Sequence, residues 1–153
     1  MVKTCITVSA VLIEGNMVVL EHNQFLKRYM LIGDHQNEGE TPEMALKRIV
    51  KEKIGHEIEI INYSIGDEKI DNRGLDINPI TVLVENITYP DGQHHHLDMI
   101  FLARIIKSAD ASIGKNENIR WSPINNLGSE GVEPKVIEVI ERGSSFLFDK
   151  KGY

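Results

Sequence analysis

Residues 31–56 read LIGDHQNEGETPEMALKRIVKEKIGH, a strand end, a polar loop and one amphipathic helix. Thr41 is a good N-cap, Pro42 suits the first helical position, where its missing N–H costs nothing, and Gly55 can take the left-handed conformation that ends a helix. The spacing therefore predicts a helix over 42–54. Within it Leu46, Ile49, Val50 and Ile54 recur every three or four residues and form a face that can pack on a sheet. Arg48 and Glu52 are neighbours on another face, and Glu40 lies just before the helix start.

This arrangement resembles the Nudix box, G-x5-E-x7-REUxEExGU with U aliphatic, the signature of hydrolases that cleave nucleoside diphosphates linked to another moiety. Glu40, Arg48, Val50, Glu52 and Gly55 match it, whereas Asp34, Ile49, Lys53 and His56 depart from it. The resemblance implies an α/β fold, a Nudix-type α/β/α sandwich with a mixed sheet, in one domain over 1–153 with a degenerate box at 34–56. It also implies a pyrophosphohydrolase dependent on Mg2+ or Mn2+. In that family carboxylates at the positions of Ile49, Glu52 and Lys53 hold the metals, because magnesium prefers hard oxygen ligands and then neutralises phosphate charge and activates water. Here only Glu52 remains a carboxylate, beside an apolar residue and a cation. The expected metal site is weak or lost, and the resemblance carries the fold more safely than the reaction.

The bulk properties narrow the partners. A chain of 153 residues suits one domain, able to bury roughly 70% of its unfolded surface. Its net charge of −6 argues against a general surface for polymeric nucleic acid, leaving a small nucleotide-like ligand as the expected partner. The lone Cys5 permits no internal disulfide, and no run of about 18 apolar residues signals a membrane span, so a cytoplasmic location is expected.

Along the chain, 5–13 and 17–20 read as a hairpin about Glu14-Gly15-Asn16, and Tyr29 to Ile32 as a short strand entering the box loop. Glu57 to Ile65 alternates like a strand, and Gly66 to Pro79 is a long polar loop. Ile80 to Tyr89 and His94 to Ile106 form a second hairpin, and Ile119 to Ser122 a short strand. Pro134 to Arg142 is a second helix ended by Gly143, followed by a tail carrying Phe146, Leu147 and Phe148 that packs on the domain or on a second copy in a homodimer. The Ile119-Arg120-Trp121 run with Leu127 resembles a family region in which Glu117 would be a characteristic glutamate.

The resemblance makes Glu52 the main catalytic and metal-holding residue, supported by Glu40 and by Arg48, which orients the glutamates. Ile49 reads as core. Lys53 is expected to pair with Glu52 and to offer a fixed charge to phosphate, with Arg48 and His35 as further phosphate contacts. Asp34 could supply a replacement carboxylate. On a strand His94, His96 and Asp98 share one face, with the ligand types to hold zinc or manganese. Polar strand residues beside a cleft more often form hydrogen bonds, so zinc is not expected there. Three functions follow: an altered pyrophosphohydrolase, a non-catalytic module that uses the same cleft to bind a nucleotide, or an interaction protein in which only the fold persists and the Phe146 to Phe148 tail makes a dimer contact.

Overall fold

The β-branched run near the N-terminus becomes β1 (Lys3–Glu14), the strand on which the sheet is built. The structure, a computed structural model, describes residues 2–63, 78–106 and 116–151. After β1 come β2 (Met17–Asn23), β3 (Arg28–His35), α1 (Pro42–Ile54), β4 (Ile58–Ile61), β5 (Thr81–Tyr89), β6 (Gly92–Ile105), β7 (Ile119–Pro123), a 3-10 segment (Ile124–Glu130) and α2 (Pro134–Lys151). The sheet order is β4-β6-β1-β3-β2-β7, with β5 also paired to β6. β1 runs parallel to β6, with Cys5 opposite His96 and Thr7 opposite Asp98, and antiparallel to β3. The sheet is therefore mixed.

Period-two alternation sorts the apolar residues onto two faces. Val8, Ala10 and Leu12 of β1 join Phe101 and Ala103 under α1, where Leu46, Ile49, Val50 and Ile54 meet them. Val11 and Ile13, with Ile100 and Leu102, pack instead against Val136, Val139 and Ile140 of α2. Both faces are covered, which explains why the central strands read as nearly continuous apolar runs.

The helix over 42–54 forms as its sequence requires. Met44 N–H donates to the Thr41 hydroxyl at 3.2 Å, and Gly55, at φ 76°, donates to the Lys51 carbonyl. The second hairpin forms with a tighter turn at Pro90-Asp91 than expected, and residues 66–77 of the long loop lie outside the described residues.

Three expectations are corrected. β3 does not stop at Ile32 but continues through His35, because Thr7 to Ala10 of β1 supply it with a partner. β4 covers Ile58–Ile61, shorter at both ends than the 57–65 reading, whose last two residues lie outside the described ones. α2 does not stop at Arg142. A Cβ at Gly143 would lie 3.1–3.2 Å from side-chain atoms of Leu102, Val11 and Ile80, so this glycine lets the helix approach the sheet rather than ending it. Phe146 then packs beside Tyr63, ring centroids 4.8 Å apart, and the tail is helix on its own domain, with Phe148 exposed.

Candidate functional site

A cleft of about 260 Å³ opens among β1, β2, β3, β5 and β6, with the end of α1 at its rim. Its polar floor includes Thr7, Ser9, Glu85, His96 and Asp98, its apolar wall Leu26, Met30, Ile87 and Tyr89, and its rim Glu21, Asp34, His35 and Lys53. Phe25 stacks on Tyr89 at the edge, with centroids 5.2 Å apart.

Lys53 reaches this cleft from the last turn of α1, and its partner is not Glu52. The ammonium donates to both oxygens of Glu21 at 2.8 and 2.9 Å and to the Gly33 carbonyl at 2.7 Å, with Asp34 at 3.8 Å. A cation has thus gathered two carboxylates and a carbonyl, the hard oxygen donors that a divalent ion would also select. Gly33 can present its carbonyl there because it lies against β1. A Cβ at this position would collide with the Val8 carbonyl and the Ser9 hydroxyl. Burial pushes Asp34 up, but hydrogen bonds from the His35 amide and imidazole and the charge of Lys53 outweigh it and hold the carboxyl below its usual value.

Arg48 forms the second cluster. Nε and Nη2 hold Glu40 at 2.6 and 3.0 Å, Nη1 reaches Glu52 at 3.3 Å, and Nη2 also donates to the His35 carbonyl. The guanidinium joins β3, the loop and α1, and its hydrogen bonds hold the Glu40 carboxyl below the usual range. Glu52 itself is exposed and shares a wide, shallow groove with Glu117. Ile49 is core, 1% exposed. The three box positions thus point to three environments: the core, solvent and an internal ion pair. They do not fit the family's magnesium cluster.

The face of β6 divides chemically. Thr7 donates to Asp98 at 2.9 Å, and the Ser9 hydroxyl lies 2.9 and 3.0 Å from its two oxygens. Burial pushes Asp98 up against these hydroxyls, which lower it, and Glu85 is raised by burial and then by the charge of Asp98. His96 is 6% exposed, and burial lowers its pKa, helped by His35 and His94. Asp98 does not join the two histidines as a ligand set. Cys5 does: its sulfur and one nitrogen from each of His94 and His96 lie within 4.8 Å of one another. Sequence reasoning missed Glu21, Cys5 and Tyr89. Glu21 leaves no local signal, because its partner Lys53 is 32 residues away.

This arrangement of layers and strands is that of the Nudix hydrolases, and the chain is a Nudix-fold protein. A Nudix-family hydrolase from Clostridium perfringens matches 93% of this chain and 97% of its own, at 23% identity and a TM-score of 0.73. A Nudix hydrolase from Nitrosomonas europaea matches 91% of this chain and 87% of its own, at 18% identity and a TM-score of 0.58. The Ap4A hydrolase of C. elegans matches 94% and 98%, at 12% identity and a TM-score of 0.63. No family model and no curated protein matches the sequence.

Proposed function

We propose that this protein is a ligand-binding module that uses the Nudix cleft without the Nudix magnesium cluster, and that its ligand is a small nucleotide-like molecule held through its nucleoside part. The observation that carries this reading is the Lys53 ammonium, fixed by Glu21 and the Gly33 carbonyl from a position where the resemblance would place a metal-binding carboxylate. Its strongest hydrogen bonds are internal, so it organises the rim.

The floor favours hydrogen-bond donors on the ligand. Glu21, Asp34, Glu85 and Asp98 face the ammonium of Lys53 among the lining residues, a balance that repels a bare pyrophosphate. Ribose hydroxyls or a base amino group can donate to these carboxyl groups, and Tyr89, Ile87 and Met30 offer the flat, apolar surface that a base needs. Arg48, also expected as a phosphate contact, is engaged by Glu40 and Glu52.

Calorimetric titration with nucleosides, their diphosphates and nucleoside diphosphate sugars, all in EDTA, tests the reading. Nucleosides are expected to bind at least as tightly as the matching diphosphates. Binding of the diphosphates alone would contradict it and return weight to the phosphate contacts of a pyrophosphohydrolase.

A further inference from the structure

We propose that Cys5, His94 and His96 form a binding site for a zinc-class transition ion beside the cleft, which His96 also lines. The parallel register of β1 and β6 sets Cys5 opposite His96, and the two-residue period of β6 puts His94 on the same side. The three ligand atoms lie within 4.8 Å of one another, the one such trio among the described residues. One thiolate and two imidazoles match borderline-soft metals such as zinc and are a poor match for magnesium.

Two details distinguish this trio from a chance cluster. His94 Nε2 lies 3.1 and 3.2 Å from the oxygens of Asp91, while Nδ1 lies 3.8 Å from the Cys5 sulfur. A carboxylate beside Nε2 requires the proton there. In the neutral imidazole this leaves the Nδ1 lone pair facing the sulfur, the arrangement by which second-shell carboxylates orient metal-binding histidines. His96, for its part, is 6% exposed, and its Nε2 is buried with no hydrogen-bond partner. An unpartnered buried nitrogen is costly, and coordination through Nε2 would remove the cost.

The 3.8 Å from sulfur to Nδ1 is close to the edge of a tetrahedron built with Zn–S near 2.3 Å and Zn–N near 2.0 Å, roughly 3.5 Å. Three protein ligands leave a fourth position for water or another small donor. Binding is written as M2+ plus the Cys5 thiol giving the metal thiolate and one proton, with no change in oxidation state. The carboxylate of Asp98 is not needed, because the hydroxyls of Thr7 and Ser9 hold it.

Titration of the dialysed, reduced full chain with Co2+, the spectroscopic stand-in for zinc, tests the site. We expect one equivalent to produce a near-ultraviolet thiolate-to-cobalt band with visible bands of tetrahedral intensity, all displaced by Zn2+. Cys5→Ser should abolish the thiolate band, and His94→Gln should weaken cobalt binding at least tenfold, with folding of each variant followed by circular dichroism. Asp98→Asn should retain the spectrum. The parent protein alone can overturn the proposal: cobalt saturation without a thiolate band, or no binding, contradicts it. An unchanged spectrum in His94→Gln would also contradict it, as would loss of the site in a folded Asp98→Asn.

Discussion

Ile49→Glu is expected to destabilise the protein by about 4 kcal/mol or more in urea unfolding, a large part of the 5–15 kcal/mol typical of a domain. The substitution would restore a family carboxylate, but the side chain sits among Val8, Leu46, Phe101 and their neighbours at 1% exposure. Removing the isoleucine surface alone costs roughly 2–5 kcal/mol, and an unpaired carboxylate in that environment adds desolvation unless it takes up a proton. Ile49→Val should cost only about 1 kcal/mol. A glutamate variant as stable as its parent would mean that this face of α1 is not packed as described. The departure from the box at this position is therefore a commitment to packing, and single-residue reversion does not rebuild a metal site.

The second large effect is at Lys53. Replacement by methionine should cost about 2–4 kcal/mol, because it leaves the Glu21 carboxylate and the Gly33 carbonyl without their donor while both side chains of the pair are more than three-quarters covered. For a chain of this size that corresponds to a fall in melting temperature of roughly 5–15 °C. Pairing it with Glu21→Gln separates the ion pair from simple packing: the double variant should be less destabilised than the sum of the singles by about 1–3 kcal/mol. Additive single effects would show that the contact contributes nothing specific. The same comparison applied to Glu52→Gln should be nearly silent, since Glu52 is exposed and its bond to Arg48 is long.

The parts legible in the sequence were those set by neighbours along the chain. Thr41, Pro42 and Gly55 bound α1 through capping and backbone preference, β-branched residues marked β1, and strand patterns about a turn signal marked β5 and β6. The Arg48, Glu40 and Glu52 contacts followed from helix spacing together with the family resemblance. What could not be read depended on distant strands. Glu21 meets Lys53 only because β2 and β3 pair and α1 folds back over them. Likewise Cys5 meets His96 through a parallel register between segments some 90 residues apart, which leaves no local mark. Gly143 carried the signal of a helix stop, yet tertiary packing used it for close approach and the helix ran on. The shared face of His94, His96 and Asp98 was predictable, but its division was not, because the hydroxyls that hold Asp98 come from β1.

With an ammonium at this rim in place of the family's metal cluster, the decisive measurement is hydrolysis of nucleoside diphosphate sugars to nucleoside monophosphate and sugar phosphate, and of dinucleoside polyphosphates to two nucleotides, followed chromatographically in millimolar magnesium and in EDTA. No cleavage above background is expected in either, with nucleoside binding of equal affinity in both. Magnesium-dependent cleavage that disappears in Glu52→Gln would overturn this reading and establish a working hydrolase built on the surviving glutamate.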